Sequence, residues 1–204
     1  SLYSLLKRAD HLVLGGVIYN AFLCAKYDIR IEGVSEDDIQ VAKEFVDYAA
    51  NNADKILELP YIIESDTLEE KAEGKYREHD VRKLEPGTKL NYVLDVSEKS
   101  FQEQKVQEAF QKAKTIFTNA VMGLTPHFPE GTIALDSLID QNKNAMKLFG
   151  GGDTNQELKN YLPGIYMKAV DDPNYYLFTG GGAVLNAIQE GTTEGLKPVK
   201  ALMK

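Results

Sequence analysis

Four short apolar runs in this chain each end on glycine: VLGG (Val13 to Gly16), FTNAVMG (Phe117 to Gly123), LFGGGDT (Leu148 to Thr154) and LFTGGGA (Leu177 to Ala183). A helix-like, amphipathic segment follows each one, so the repeated unit reads as strand, glycine turn, helix. Strands in such units run parallel and bring their carboxyl ends to one edge of a sheet. Backbone N–H groups and helix amino termini converge on that edge, which is where open α/β folds bind ligands and where negative charge is favoured. Glycine lets a phosphate approach the backbone closely, and four such loops together point to a phosphate ligand.

A chain of 204 residues with 43% hydrophobic content can bury a sizeable core, so one domain over residues 1–204 is expected. The net charge of -8, from 31 acidic against 23 basic residues, argues against nucleic acid or an anionic membrane as the main partner. Any phosphate is therefore held locally, against the global field. No apolar run approaches about 18 residues and no basic-then-apolar leader opens the chain, which predicts a soluble protein. Cys24 is the single cysteine, so no internal disulfide or thiolate cluster can form, and a cytoplasmic, reducing compartment fits. The start at Ser1, without methionine, suggests a fragment or processed product.

Alternation sets the fold class. Leu2, Leu5, Leu6 and Ala9 make a helical stripe, and His11 to Leu14 reads as a short buried strand. Val17 to Lys26 reads as a helix. Ser35 with Asp38 resembles a capping box opening a helix to about Asn51. Lys55 to Leu59 reads as a strand stopped by Pro60. The mixed-charge stretch Glu64 to Lys89 has no clear period and reads as a solvated excursion with irregular or edge-strand structure. Strands follow at Tyr92 to Asp95, Thr115 to Asn119, Met146 to Phe149 and Tyr175 to Phe178. Helices are expected at Ser100 to Ala113 and near Gly131 to Asn144, Asn155 to Leu162 and Ala183 to Gln189. The pattern predicts a three-layer α/β/α fold with a parallel, Rossmann-like sheet of about six strands.

Each candidate residue has a plainer reading beside the functional one. Gly150, Gly151, Gly152, Asp153 and Thr154 make either a tight turn capped by Asp153 or Thr154, or a phosphate and magnesium site. In Gly180, Gly181 and Gly182, the third glycine exceeds what a turn needs. Gly15 and Gly16 suit an ordinary turn, and Asn119 suits the close of a strand. His11, His79 and His127 have no metal-ligand spacing, and Cys24 lies on an apolar helical face as a filler.

The order and spacing of these loops resemble the carboxyl-terminal, nucleotide-binding domain of phosphoglycerate kinase over nearly the whole chain. LGGVIYNAFLCA (Leu14 to Ala25) matches the family's GGG(I/M)A(N/Y)TF stretch. LDVSEKS (Leu94 to Ser100) stands where the family has LDIGPKT, and TNAVMG (Thr118 to Gly123) where it has WNGPMG. GGGDT (Gly150 to Thr154) and TGGGA (Thr179 to Ala183) follow, with Gln189-Glu190-Gly191 similar to LLEG.

The resemblance implies ADP or ATP with magnesium as ligands, and an amino-terminal lobe on the same or another chain that binds 3-phosphoglycerate. It implies Asp153 at the magnesium and phosphate end, with Thr154, Asn119, Gly150, Gly151, Gly180 and Gly181 near the phosphates and Gly15 and Gly16 in the nucleotide site. The amides around Gly152 and Gly182 would face the phosphoryl group in transit. The lone domain is not expected to turn over.

Departures from the pattern are specific. Val17 replaces the third glycine of the first motif and Val93 a glycine before LDIGPKT. Both glycines line the adenine slot in the family, so each valine fills space left there for a flat base. Ser97-Glu98 and Ala120-Val121 replace Gly-Pro pairs. Cys24 stands where many members carry a lysine, and a ribose-binding glutamate has no counterpart in LTPHFP (Leu124 to Pro129). These changes support an alternative: a degenerate, non-catalytic homologue serving binding or assembly.

Overall fold

The structure, a computed structural model, describes residues 2–190. The amino-terminal part runs α1 (Leu2–Arg8), α2 (Gly16–Tyr27), β1 (Arg30–Ile31) and α3 (Glu36–Ala49), followed by a 3-10 turn over Ala50–Lys55. Next come β2 (Tyr61–Ser65), β3 (Tyr76–Asp80), β4 (Lys89–Leu90) and β5 (Tyr92–Val96). A 3-10 turn at Glu98–Gln102 leads into α4 (Gln104–Lys112), β6 (Thr115–Thr118), α5 (Glu130–Gln141) and β7 (Met146–Gly150). The described chain ends with α6 (Gly152–Tyr161), α7 (Pro163–Asp171), β8 (Tyr175–Phe178) and α8 (Gly181–Glu190). Gly191 of the Gln189-Glu190-Gly191 stretch lies outside the described residues.

The fold is mixed α/β, and among the described residues its strands form three small sheets where one of about six strands is expected. β6, β7 and β8 lie side by side and parallel, in register Phe117↔Leu148↔Tyr176, with Gly150 opposite Phe178. The connections between them carry α5, then α6 and α7, as parallel crossovers require. β5 joins an antiparallel sheet of order β3-β2-β5, and β1 pairs with β4 in parallel.

The strands expected at His11 to Leu14 and Lys55 to Leu59 meet only at one parallel bridge, Leu12↔Ile56. The N–H of Ile56 is already spent on Ala53 of the preceding 3-10 turn, and Pro60 has no N–H with which to extend a ladder. The stretch Glu64 to Lys89 holds the end of β2, the edge strand β3 and the first residue of β4, with irregular chain between them, in line with the edge-strand reading.

One hydrophobic cluster joins these parts. Leu23, Ile29, Leu59, Ile62, Ile139, Phe149 and Leu158 are wholly buried within it. Removing such a side chain from water stabilises by about 1.5–3 kcal/mol, so the core spans the amino-terminal helices and the parallel sheet alike. No helix among the described residues is long and apolar enough to cross a membrane.

Candidate functional site

The carboxyl ends of β6 and β7 open onto one concavity. It measures about 260 Å³ and is lined by Asn119, Ala120, Val121, Gly151, Gly152, Asp153 and Thr154. β6 delivers Asn119, β7 ends at Gly150, and α6 starts one residue later at Gly152. Gly151 turns between them with φ +102°, a conformation that suits glycine. Its N–H is committed to the carbonyl of Phe178 at 2.8 Å, which locks the β7 turn to the end of β8. Asn155 Nδ2 donates to the same carbonyl at 2.8 Å.

Close approach explains the glycines here. A β-carbon on Gly150 would stand 3.2 Å from Gly181 Cα, and one on Gly181 would meet Gly151 N at 2.8 Å. The two polyglycine loops therefore interlock backbone to backbone. Asn119 Oδ1 lies within 2.6 Å of the β-carbon positions of both Gly151 and Gly181. Gly152, Gly180 and Gly182 face open space, where an added β-carbon would meet nothing within 4 Å.

Gly15 and Gly16 pack against the Asn119 to Gly123 loop and are not among the residues lining the concavity. A β-carbon on Gly15 would meet Met122 Sδ at 2.8 Å, and one on Gly16 (φ +64°) would lie 3.6 Å from the Val121 carbonyl. All four glycine-ended stretches are thus neighbours.

The first turn of α6 leaves the N–H groups of Gly152, Asp153 and Thr154 outside the helical ladder, and no side chain caps them. Capping by the Asp153 or Thr154 side chain, the plainer reading of this turn, is absent among the described residues. Thr154 is buried and Asp153 is exposed, so the carboxylate stands at the mouth while the threonine forms the floor. The lining holds no cationic side chain, so an anion there would rest on backbone amides and on a cation brought with it. A single exposed carboxylate suits magnesium, which binds through one or two carboxylates plus substrate phosphates and keeps its waters. A groove of about 290 Å³ beside α5 is slightly larger, but Glu98 and Glu130 line it, and they repel an anion.

Several supporting residues escaped the sequence reading. Thr132 Oγ1 accepts from the Met122 N–H at 2.9 Å, pinning the Asn119 to Gly123 loop to α5. Asp95 accepts from the Val96 N–H at 2.8 Å and the Gly131 N–H at 3.0 Å. Burial pushes its carboxyl up to about 7 despite those donors. A β-carbon on Gly123 would strike both Asp95 and the Phe128 carbonyl, so this glycine serves packing. The signal available in sequence was the short spacing between TNAVMG and Gly131-Thr132, which has no meaning until α5 is seen to fold back.

The departures separate. Val17 is 79% exposed at the start of α2, whereas Val93 is 8% exposed and belongs to the core. Cys24 is fully buried, and burial pushes its thiol up. It lies in the core and takes no part in the concavity.

The family model for phosphoglycerate kinase matches residues 1–191. The chain belongs to the phosphoglycerate kinase family. Among curated relatives, phosphoglycerate kinase of Limosilactobacillus reuteri is 28% identical over 96% of this chain and 45% of its own length. That of Baumannia cicadellinicola is 33% identical over 94% of this chain and 44% of its own length. A solved phosphoglycerate kinase from Coxiella burnetii superposes with a TM-score of 0.73 at 25% identity, covering 94% of this chain and 46% of that one. The chain thus spans just under half the length of the phosphoglycerate kinases it matches.

Proposed function

We propose that this chain is the carboxyl-terminal, nucleotide-binding lobe of a cytoplasmic phosphoglycerate kinase, and that its glycine-lined concavity holds the phosphates of ADP or ATP. The observation that carries the reading is the interlock of Gly150 and Gly151 with Gly181 beside Asn119, at the carboxyl ends of three parallel strands. Asp153 would hold magnesium, which supplies charge neutralisation between the phosphates when bound. The free amides of Gly152, Asp153 and Thr154, with those of Gly181 and Gly182 at the start of α8, would orient the phosphate chain and stabilise charge on the phosphoryl oxygens. Gly150, Gly180 and the Gly15-Gly16 pair would let the backbone approach the ligand. The acceptor phosphoglycerate belongs to an amino-terminal lobe, so the domain alone would bind without turning over.

A second reading has its own support. Val93 belongs to the core on β5, with Asn20 Nδ2 of α2 donating to its carbonyl at 3.0 Å, and Val17 stands exposed at the start of α2. A homologue with a filled adenine slot would keep the fold for binding or assembly and lose nucleotide turnover. Calorimetric titration with ADP and magnesium decides between them. Sub-millimolar binding is the outcome expected of a nucleotide lobe; no heat with ADP would favour the degenerate homologue.

A further inference from the structure

One wall of the concavity, made by Asn119, Ala120 and Val121, belongs to a loop that runs on into α5. Its anchors are specific. The Met122 N–H donates to Thr132 Oγ1 at 2.9 Å, the Leu124 N–H to the Leu94 carbonyl at 2.8 Å and the Phe128 N–H to the Leu124 carbonyl at 3.0 Å. The Gly131 N–H donates to Asp95 Oδ2 at 3.0 Å. Both Thr132 and Gly131 stand in the first turn of α5, which Pro129 precedes without a side-chain cap. What holds that turn in place also holds the wall.

A single side chain from a distant connection reaches it. Lys71 lies between β2 and β3, where Glu69, Glu70 and Glu73 are exposed. Its Nζ donates to Glu130 Oε1 at 2.6 Å and stands over two aromatic rings, 4.9 Å from the centre of Tyr76 and 5.3 Å from that of Phe128. Those rings meet edge to face, with centroids 6.3 Å apart at 87°, and Phe128 is wholly buried. An exposed ion pair alone contributes little. Here the ammonium is attracted to the rings as well, its side chain is only 25% exposed, and Glu130 opens α5, where a carboxylate favours the helix. Lys71 thus ties Phe128 and Glu130, on either side of Pro129, to the β2–β3 connection. It does not itself line the concavity.

We propose that Lys71 is a positioning residue for the concavity: by holding Glu130 and the Phe128 ring it fixes the first turn of α5 and, through the Thr132 hydrogen bond to Met122, the loop that forms one wall. Groups that bind a ligand need support from the residues behind them, since about 1 Å of play is enough to spoil a site. The clamp needs a cation at this point, because both the carboxylate and the rings attract one. The ligand consequence rests on the phosphate reading above; the ordering of the loop does not.

The test compares the whole chain with Lys71→Met, which keeps the apolar stem and removes the charge, and with Lys71→Arg, which restores a cation. Amide hydrogen exchange is followed at Met122 and Gly131, with Leu59, whose N–H donates to Tyr19 Oη in the core at 2.9 Å, as the distant reference. Lys71→Met should speed exchange at Met122 and Gly131 by about threefold to tenfold and leave Leu59 unchanged, while Lys71→Arg stays within about twofold of the parent. Unchanged exchange at Met122 and Gly131, or equal acceleration at Leu59, would overturn the clamp. Should Lys71→Met fail to fold, Glu130→Gln breaks the same contact from its other side and is read by the same amides. Calorimetric affinity for magnesium ADP should fall at least about threefold in Lys71→Met and recover in Lys71→Arg. Faster exchange with unaltered affinity would overturn the positioning role. Absence of binding by the parent itself defeats the phosphate reading and leaves the clamp to be judged by exchange.

Discussion

Asn119 Oδ1 stands 2.6 Å from the point where a β-carbon on Gly181 would sit. That point is also 2.8 Å from Gly151 N and 2.9 Å from the Gly150 carbonyl carbon, both backbone atoms that cannot swing aside. Gly181→Ala should therefore force the β7 and β8 turns apart and destabilise by about 1–3 kcal/mol. Gly182→Ala adds a methyl group to open space on the next residue and should be close to neutral. Denaturant midpoints of the two variants check the contrast.

Asp95 should make stability depend on pH. Its folded carboxyl titrates near 7, above its unfolded value, so its contribution is fully present in acid and is lost as pH rises through about 7. Asp95→Asn keeps one oxygen to accept from Gly131 or Val96 and cannot ionise. Its unfolding midpoint should vary less with pH between about 5 and about 8 than that of the parent protein. Equal slopes would mean that this carboxyl does not titrate in that range.

What could be read in sequence was local or glycine-marked. The Ser35-Asp38 box forms because its geometry needs only four consecutive residues: Asp38 N–H donates to Ser35 Oγ at 3.1 Å and α3 starts at Glu36. The parallel strands β6, β7 and β8 showed as apolar runs stopped by glycine or asparagine. β3 did not, because its ladder carries Arg77, Glu78 and His79, polar side chains that find partners across the sheet and beyond it. Arg77 and His79 reach Glu64, and Glu78 meets Lys99. A strand stabilised by ion pairs has no apolar period to detect. The supporting contacts of the site, such as Thr132 with Met122, depend on α5 folding back and leave no periodic trace.

Val17 and Val93 should respond differently to glycine. Val93→Gly removes a buried side chain and loosens a strand, costing about 3 kcal/mol. Val17→Gly changes an exposed first-turn position and should cost no more than about 1 kcal/mol. Val17→Gly is therefore the cleaner probe: a gain in ADP affinity without a change in midpoint would locate the obstruction at Val17. A gain seen only when Val17→Gly and Val93→Gly are combined would mean that both side chains obstruct.

Asn142 is the residue on which the entry to β6 and β7 depends. Its Nδ2 donates to the carbonyls of Phe110 and Ala113 at 2.8 Å each, satisfying acceptors that the end of α4 leaves open. Its Oδ1 accepts from the Asn144 and Ala145 N–H groups at 3.1 and 2.9 Å, shaping the turn before Met146. Asn142→Ala strands these groups in a nearly buried setting and should cost about 3 kcal/mol. Asn142→Asp keeps the acceptor but turns a second oxygen toward two carbonyls, so it should cost at least as much. Leu138→Ala, by contrast, removes only apolar contact from α5, the helix that ends just before Asn142. If Asn142→Ala and Asn142→Asp both unfold at the parent's denaturant concentration, the network contributes nothing and the two strands are positioned by packing alone.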